Sequence, residues 1–257
     1  MDLEVGGELA GMPPSATRYI TRDALLALPQ VNYTVSDDTN FTSPTQVSGV
    51  SLEELTKHFG AAPESDLVVA LCRDKYYADY PRAYVAAHHP VLVLTINGQP
   101  PANWPKDAEG HGLDMGPYLI SHPKFMPSFK ILSYAEEPQI PWGVLRLEFR
   151  DEKIVFGAIA PRGPRATEPA VLAGYRIAQQ NCFRCHNMGT QGGQKAGHPW
   201  PVLSAWAAAA SDYFGAYVRN PKGKNPHAQM PGNPAYDDAT IGALRAYFQT
   251  FSAQEKP

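Results

Sequence analysis

Cys182-Phe183-Arg184-Cys185-His186 is the stretch on which the reading of this chain turns. Two thiols flank two residues and a histidine follows at once, the spacing at which a c-type haem is attached. Each thiol can add to one haem vinyl group as a thioether, and the neighbouring imidazole then reaches the iron from the same side. A Cys-x-x-Cys pair without that histidine would serve a zinc site or a dithiol redox site equally well. Zinc needs a second pair of ligands, and no other cysteine lies nearby. A thioredoxin-like dithiol belongs in a βαβ setting, whereas this motif follows a helical segment. The sequence therefore predicts one covalently bound haem c on Cys182 and Cys185, with His186 as an axial iron ligand.

The iron needs a second axial ligand. Met230 lies 44 residues downstream, in Asn225-Pro226-His227-Ala228-Gln229-Met230-Pro231-Gly232. A thioether is a soft ligand that favours the ferrous state and raises the reduction potential. Met188 is too close to the attachment site to reach the opposite face of the haem. His198 and His227 compete with Met230, and a bis-histidine pair would lower the potential. The expected ligands are His186 and Met230.

The surrounding pattern is helical. Thr167 can cap a helix running to about Asn181, with Pro169 tolerated in its first turn. A second helix is expected over Ser211–Arg219. A third follows Asp237-Asp238 and sets Ile241, Leu244, Phe248 and Phe251 on one face. With these elements in order, residues 168–257 resemble the class I c-type cytochromes, an all-α family. In that family the first and last helices cross where a small residue faces an aromatic one, and Gly174 and Tyr247 match those roles. The resemblance also implies a proline carbonyl, that of Pro199 or Pro201, as hydrogen-bond acceptor for the ligand imidazole. Trp200, Leu203, Trp206, Tyr213 and Phe214 are candidates for the haem pocket and equally for plain core. Arg219, Lys222 and Lys224 read either as a solvated charge run or as a docking rim at the haem edge.

The larger N-terminal part has a different period. Residues 1–17 read as a loose arm. From residue 18 to 156, short apolar runs alternate with turns, giving strands at Asn32–Ser36, Leu67–Cys72, Val91–Ile96, Tyr118–Ser121, Val144–Phe149 and Ile154–Ile159. Helices are expected at Thr21–Leu28 and Ser51–Phe59, and Asn97-Gly98 is a tight-turn signal. The segment 157–167, rich in proline and charge, reads as a linker. The predicted architecture is α+β: a mixed, mainly β domain followed by an all-α domain.

Five pieces carry a second resemblance: TRDALLALP at Thr21–Pro29, VSGVSLEEL at Val47–Leu55, ALCRDKYYADYP at Ala70–Pro81, LTINGQP at Leu94–Pro100 and GPYLISHP at Gly116–Pro123. In this order they resemble the molybdopterin-binding domain of the sulfite oxidase superfamily. That family implies a molybdenum-ligating cysteine ahead of the segment matching Val47–Leu55, where this chain has Tyr33–Gln46 and no cysteine. Cys72 falls in a later strand and reads as a small buried hydrophobe. No cluster of arginines for the cofactor phosphate stands out. A degenerate domain that keeps the fold and lacks molybdenum is expected. His88, His89, His111 and His122 are candidates for a replacement metal or ligand site.

Composition bounds the function. A chain of 257 residues with 44% hydrophobic residues has material for two cores. Residues 1–168 hold 14 Lys and Arg against 21 Asp and Glu, and residues 169–257 hold 8 against 4. So sparse a basic half argues against nucleic acid and suits either mutual attraction between the two halves or docking of an acidic redox partner. No run approaches the ~20 apolar residues of a membrane span. The start Met1-Asp2-Leu3-Glu4 has no signal-peptide pattern, although haem c is normally attached outside the cytoplasm; a mature or truncated periplasmic or otherwise exported form is expected. The functional expectation is an electron carrier rather than an enzyme, its N-terminal domain a docking or scaffold module for a periplasmic dehydrogenase or another cytochrome or oxidase. The alternative is an oxidoreductase whose N-terminal domain binds a molybdopterin-type cofactor or a small oxyanion and passes electrons to the haem.

Overall fold

In the computed structural model, which describes residues 1–36, 38–106 and 113–252, the architecture changes where the period of the apolar residues changes. One compact unit comprises Met1–Met126 and Pro138–Ile154; the other comprises Pro127–Glu137 and the chain from Val155 onward. The chain is an α+β protein, with a mixed sheet in the first unit and helices in the second.

The strands are β1 (Leu3–Gly7), β2 (Thr17–Ile20), β3 (Val31–Val35), β4 (Thr45–Ser51), β5 (Leu67–Cys72), β6 (Tyr77–Pro81), β7 (Val91–Ile96), β8 (Tyr118–Ser121), β9 (Lys130–Ile131), β10 (Tyr134–Ala135) and β11 (Trp142–Arg150). Among the described residues, nine of them form one sheet in the order β2-β1-β11-β8-β7-β4-β3, with β5 paired to β11 and β6 to β5. β1 runs parallel to β11, and the other pairings are antiparallel. The near-continuous apolar runs of β5 and β7 are buried on both faces, as such runs require.

Helices α1 (Arg22–Leu26), α2 (Leu52–Phe59) and α3 (Arg82–His88) belong to this unit. α2 shows why: the Ser51 hydroxyl accepts from the Glu54 N–H at 3.1 Å, Glu53 and Glu54 sit in the first turn, and Gly60 closes the helix in the left-handed conformation. Leu52, Leu55 and Phe59 then share its buried face.

Two expectations fail here. The supposed arm is a sheet strand: Leu3 and Val5 are fully buried and β1 pairs with both β2 and β11. Its glycines and short length hid the alternation. The run Ile154–Ile159 is no strand, since Glu152–Gly157 forms a helix, α4, whose start is held by Asp151 Oδ1 accepting from the Lys153 N–H. A short apolar run does not distinguish the two periods by itself.

The second unit continues with α5 (Pro169–Ile177), α6 (Trp200–Ala209), α7 (Ser211–Arg219), α8 (Pro221–Lys224) and α9 (Asp238–Gln249). Glu168, not Thr167, stands at the N-cap position of α5, without a side-chain capping bond; Pro169 is in the first turn, and the helix runs on as a wider π-turn through Ala178–Cys182. α9 starts at Asp237, whose carboxylate accepts from the Thr240 N–H at 2.8 Å, and buries Ile241, Leu244 and Phe248. Gly174 of α5 lies against α9 so closely that a Cβ there would stand 2.0 Å from the Ala243 carbonyl oxygen and 2.7 Å from the Tyr247 Cβ. Gly174 and Tyr247 do meet at the crossing of the first and last helices.

Candidate haem centre

The attachment motif is held in one turn of helix. The N–H groups of Cys185 and His186 both donate to the Cys182 carbonyl, at 3.2 and 3.0 Å. Cys182 and His186 are thus four residues apart on one helical face. The following loop folds back under the motif: the Gly193 N–H donates to the Phe183 carbonyl at 2.8 Å and the Ala196 N–H to the Cys185 carbonyl at 3.0 Å. Only glycine fits at 193, where a Cβ would lie 1.8 Å from the Arg184 carbonyl oxygen.

That loop delivers the partner of the histidine. His186 Nδ1 lies 2.6 Å from the His198 carbonyl oxygen. A carbonyl only accepts, so Nδ1 carries the proton and Nε2 is left with its lone pair, the form a metal requires. Burial also lowers the imidazole pKa, opposed by this hydrogen bond. The acceptor is therefore His198 and not Pro199 or Pro201. Pro199 and Pro201 instead stand at the head of α6, Pro199 as its N-cap residue and Pro201 in its first turn, where a fixed φ is tolerated.

Cys182, His186 and Met230 line one cavity of about 200 Å³. Its walls are largely apolar, from Leu203 and Trp206 on α6, Phe214, Tyr217 and Val218 on α7, and Leu244 and Phe248 on α9. Of the pocket candidates, Leu203, Trp206 and Phe214 line it. Trp200 is instead fully buried core, in ring contact with Phe183 and Phe248, and Tyr213 is exposed. Tyr217, Val218 and the Lys195–His198 loop had no sequence signal, whereas Leu244 and Phe248 were visible as one face of α9. His227 is exposed and outside the cavity lining. His198 reaches the cavity, but its ring packs on Trp206 at 4.8 Å. Cys185 lies outside the lining, one turn along from Cys182.

The basic run resolves into two kinds of residue. Arg219 is structural, donating from Nε to the Tyr236 carbonyl at 2.7 Å and pairing with Asp238 at 2.6 Å. Lys222 and Lys224 are exposed on α8.

Residues 169–248 match the family model described as cytochrome c oxidase, cbb3-type, subunit III. This part of the chain is a cytochrome c domain. Such a domain implies haem c and electron transfer, and the donor set fits the group: two thiols and an imidazole at attachment spacing, a proton-locked ring, and a thioether on the same apolar cavity. The match leaves more than half of the chain outside the family model. Among solved structures, the sulfane dehydrogenase SoxCD from Paracoccus pantotrophus is similar at 15% identity and a TM-score of 0.38, over 64% of this chain and 43% of that one. The chain thus spans less than half the length of that relative. No curated protein matches. No helix among the described residues is long and apolar enough to cross a membrane.

The histidines of the first unit separate. His88 ends α3 and His89 is its left-handed cap, so the two diverge; His89 is exposed and pairs with Glu53 at 2.7 Å. His111 lies outside the described residues. His88 and His122 are both 3% exposed with ring centroids 6.4 Å apart, Phe125 packing on each. His122 Nε2 meets the Tyr84 hydroxyl at 3.0 Å, and that hydroxyl accepts from the Gln139 N–H at 2.8 Å. Among the described residues, no group of three or more His, Cys, Asp or Glu could hold a metal.

Burial, with a smaller contribution from His88, lowers the His122 pKa from 6.5 to about 3. The unfolded chain therefore takes up a proton on this ring over a window in which the folded chain does not. Stability is expected to fall as pH drops from 6.5 toward 3, by about 2 kcal/mol at pH 5 from this ring. Denaturant midpoints followed by sheet circular dichroism check this, with His122→Gln flattening that part of the profile.

Proposed function

We propose that the chain is an electron-transfer protein carrying one haem c, bound covalently through Cys182 and Cys185, with His186 and Met230 as axial ligands. The observation that carries this reading is the convergence of Cys182, His186 and Met230, 48 positions from first to last, on one apolar cavity. The haem supplies a one-electron couple when bound. The chain's own residues set its surroundings. The His198 carbonyl keeps the proton on Nδ1 of His186 and fixes the ring. The Met230 thioether favours the reduced state, and Trp206, Phe214, Leu244 and Phe248 exclude water. If His186 and Met230 both held the iron, the chain's own side chains would be its ligands, which suits a carrier.

Lys195 is exposed at the cavity, and Lys222 and Lys224 are exposed on α8; these cations suit an acidic redox partner. The partner class is a periplasmic dehydrogenase or another cytochrome or oxidase. The c-type attachment motif supports a periplasmic or otherwise exported location. The first unit then serves as a docking or scaffold module on a sulfite oxidase-like fold. A molybdenum enzyme of the sulfite oxidase type would need a cysteine thiolate on the metal, and Cys72 is 7% exposed within the apolar core of the sheet.

Metal analysis of the purified chain is expected to give one iron and no molybdenum per chain; stoichiometric molybdenum would overturn the carrier reading. Met230→Ala is expected to abolish the long-wavelength absorption band of methionine-ligated ferric haem and to open the ferrous protein to carbon monoxide. An unchanged band would remove Met230 from the iron.

A further inference from the structure

Asn181, next to Cys182, donates from its side-chain amide twice, to Asn233 Oδ1 at 2.9 Å and to the Tyr236 hydroxyl at 2.7 Å. Both acceptors follow Met230 in the chain. The Asn233 N–H also donates to the Val218 carbonyl at 3.0 Å, and Arg219 holds the Tyr236 carbonyl. One asparagine therefore closes the Met230 loop onto the residue beside the attachment thiol.

The hairpin β9–β10 is the next member of this series of contacts. Within the second unit, Tyr134 is 1% exposed and meets the Tyr236 ring edge-on, with centroids 6.1 Å apart. Ser133 clasps the start of α9: its N–H donates to Thr240 Oγ1 at 3.0 Å, its hydroxyl and the Thr240 hydroxyl are hydrogen-bonded at 2.6 Å, and its oxygen accepts from the Asp237 N–H at 3.1 Å. Phe129 lies beneath the Arg176 guanidinium at 4.9 Å, and Glu136 Oε2 closes the base by accepting from the Ser128 N–H at 2.6 Å. The turn itself has Leu132 at φ 55°, a left-handed backbone that leucine rarely adopts. Such a turn persists where its surroundings over-determine it, which the Ser133 bonds do. Residues 127–137 lie outside the stretch 169–248 matched by the cytochrome family model.

The geometry points to residues 127–137 as a strap on the Met230 loop: the hairpin positions Tyr236, Tyr236 with Asn181 closes the loop, and the loop holds Met230 at the iron. This rests on the assignment of Met230 as sixth ligand. Ser133 and Tyr134 are positioning residues here, acting through Thr240 and Tyr236.

The test uses the full haem-loaded chain and compares wild type with Ser133→Ala, Ser133→Thr and Tyr134→Leu. The readouts are the methionine–iron band of the ferric protein in rising denaturant, and the rate of carbon monoxide binding to the ferrous protein. Ser133→Ala is expected to bind carbon monoxide about fivefold faster, the effect of one hydrogen bond of ordinary strength, and to lose the band at lower denaturant. Tyr134→Leu changes both in the same direction, and Ser133→Thr, which keeps the hydroxyl, restores wild-type values. Wild-type rates and midpoints in both Ser133→Ala and Tyr134→Leu would overturn the strap. Absence of the band from the wild-type protein would instead overturn the ligand assignment, and the strap with it.

Discussion

A chain in which Cys182 and Cys185 are both replaced by serine is expected to carry no haem through denaturing electrophoresis, while the wild-type chain stains for haem at its own mass. Serine matches the shape of cysteine but forms no thioether, so the covalent link is lost and the fold-directing residues remain. Each single replacement leaves one thiol and is expected to give a lower but detectable yield. The motif turn makes this specific: both N–H groups that position Cys185 and His186 donate to the Cys182 carbonyl, which serine keeps. Haem retained by the double variant under denaturing conditions would overturn attachment at these two residues.

Gly174→Ala is expected to destabilise the second unit by about 3 kcal/mol, at the upper end for overpacking. The added methyl would stand 2.0 Å from the Ala243 carbonyl oxygen and 2.6 Å from its carbon, and both are backbone atoms of a helix. No rotamer change relieves that overlap, so α5 and α9 must separate, and α9 carries Leu244 and Phe248 into the cavity wall. The control lies on α9 itself. A Cβ at Gly242 meets nothing within 4 Å, so Gly242→Ala is expected to be stabilising by ~1 kcal/mol from helix propensity. Denaturant titration of the haem absorbance for the two variants separates local overpacking from any general effect of replacing glycine with alanine.

The candidate haem centre was more legible than the fold around it. Cys182, Cys185 and His186 are close enough in sequence for their spacing to point to haem attachment, and Met230, which stands in a loop with few rivals, lines the same cavity as Cys182 and His186. Gly174 and Tyr247 could be paired through the family resemblance because a crossing of two helices leaves a small residue facing a large one. The His198 carbonyl could not be read in the same way, because a backbone acceptor has no side-chain signature. α6 was missed since its face is apolar nearly all round, which blurs a helical period. β1 was missed because Gly6 and Gly7 interrupt the alternation that Leu3 and Val5 begin. The pair His88 and His122 became visible only once α3 and β8 were placed, since 34 residues of sequence separate them.

The route of the chain has a consequence for how the protein can be divided and assembled. Because residues 127–137 belong with the chain beyond 155 while 138–154 return to the sheet, no single cut yields the two units intact. A fragment beginning after the sheet would lack Ser133 and leave the buried Thr240 hydroxyl without that partner. The same bond joins residues 107 positions apart, a closure whose entropic cost delays it relative to local turns. During synthesis the hairpin emerges well before α9 exists to receive it. Until α9 docks, Ser133 has no Thr240 to meet, so the clasp is among the last contacts of the second unit to close.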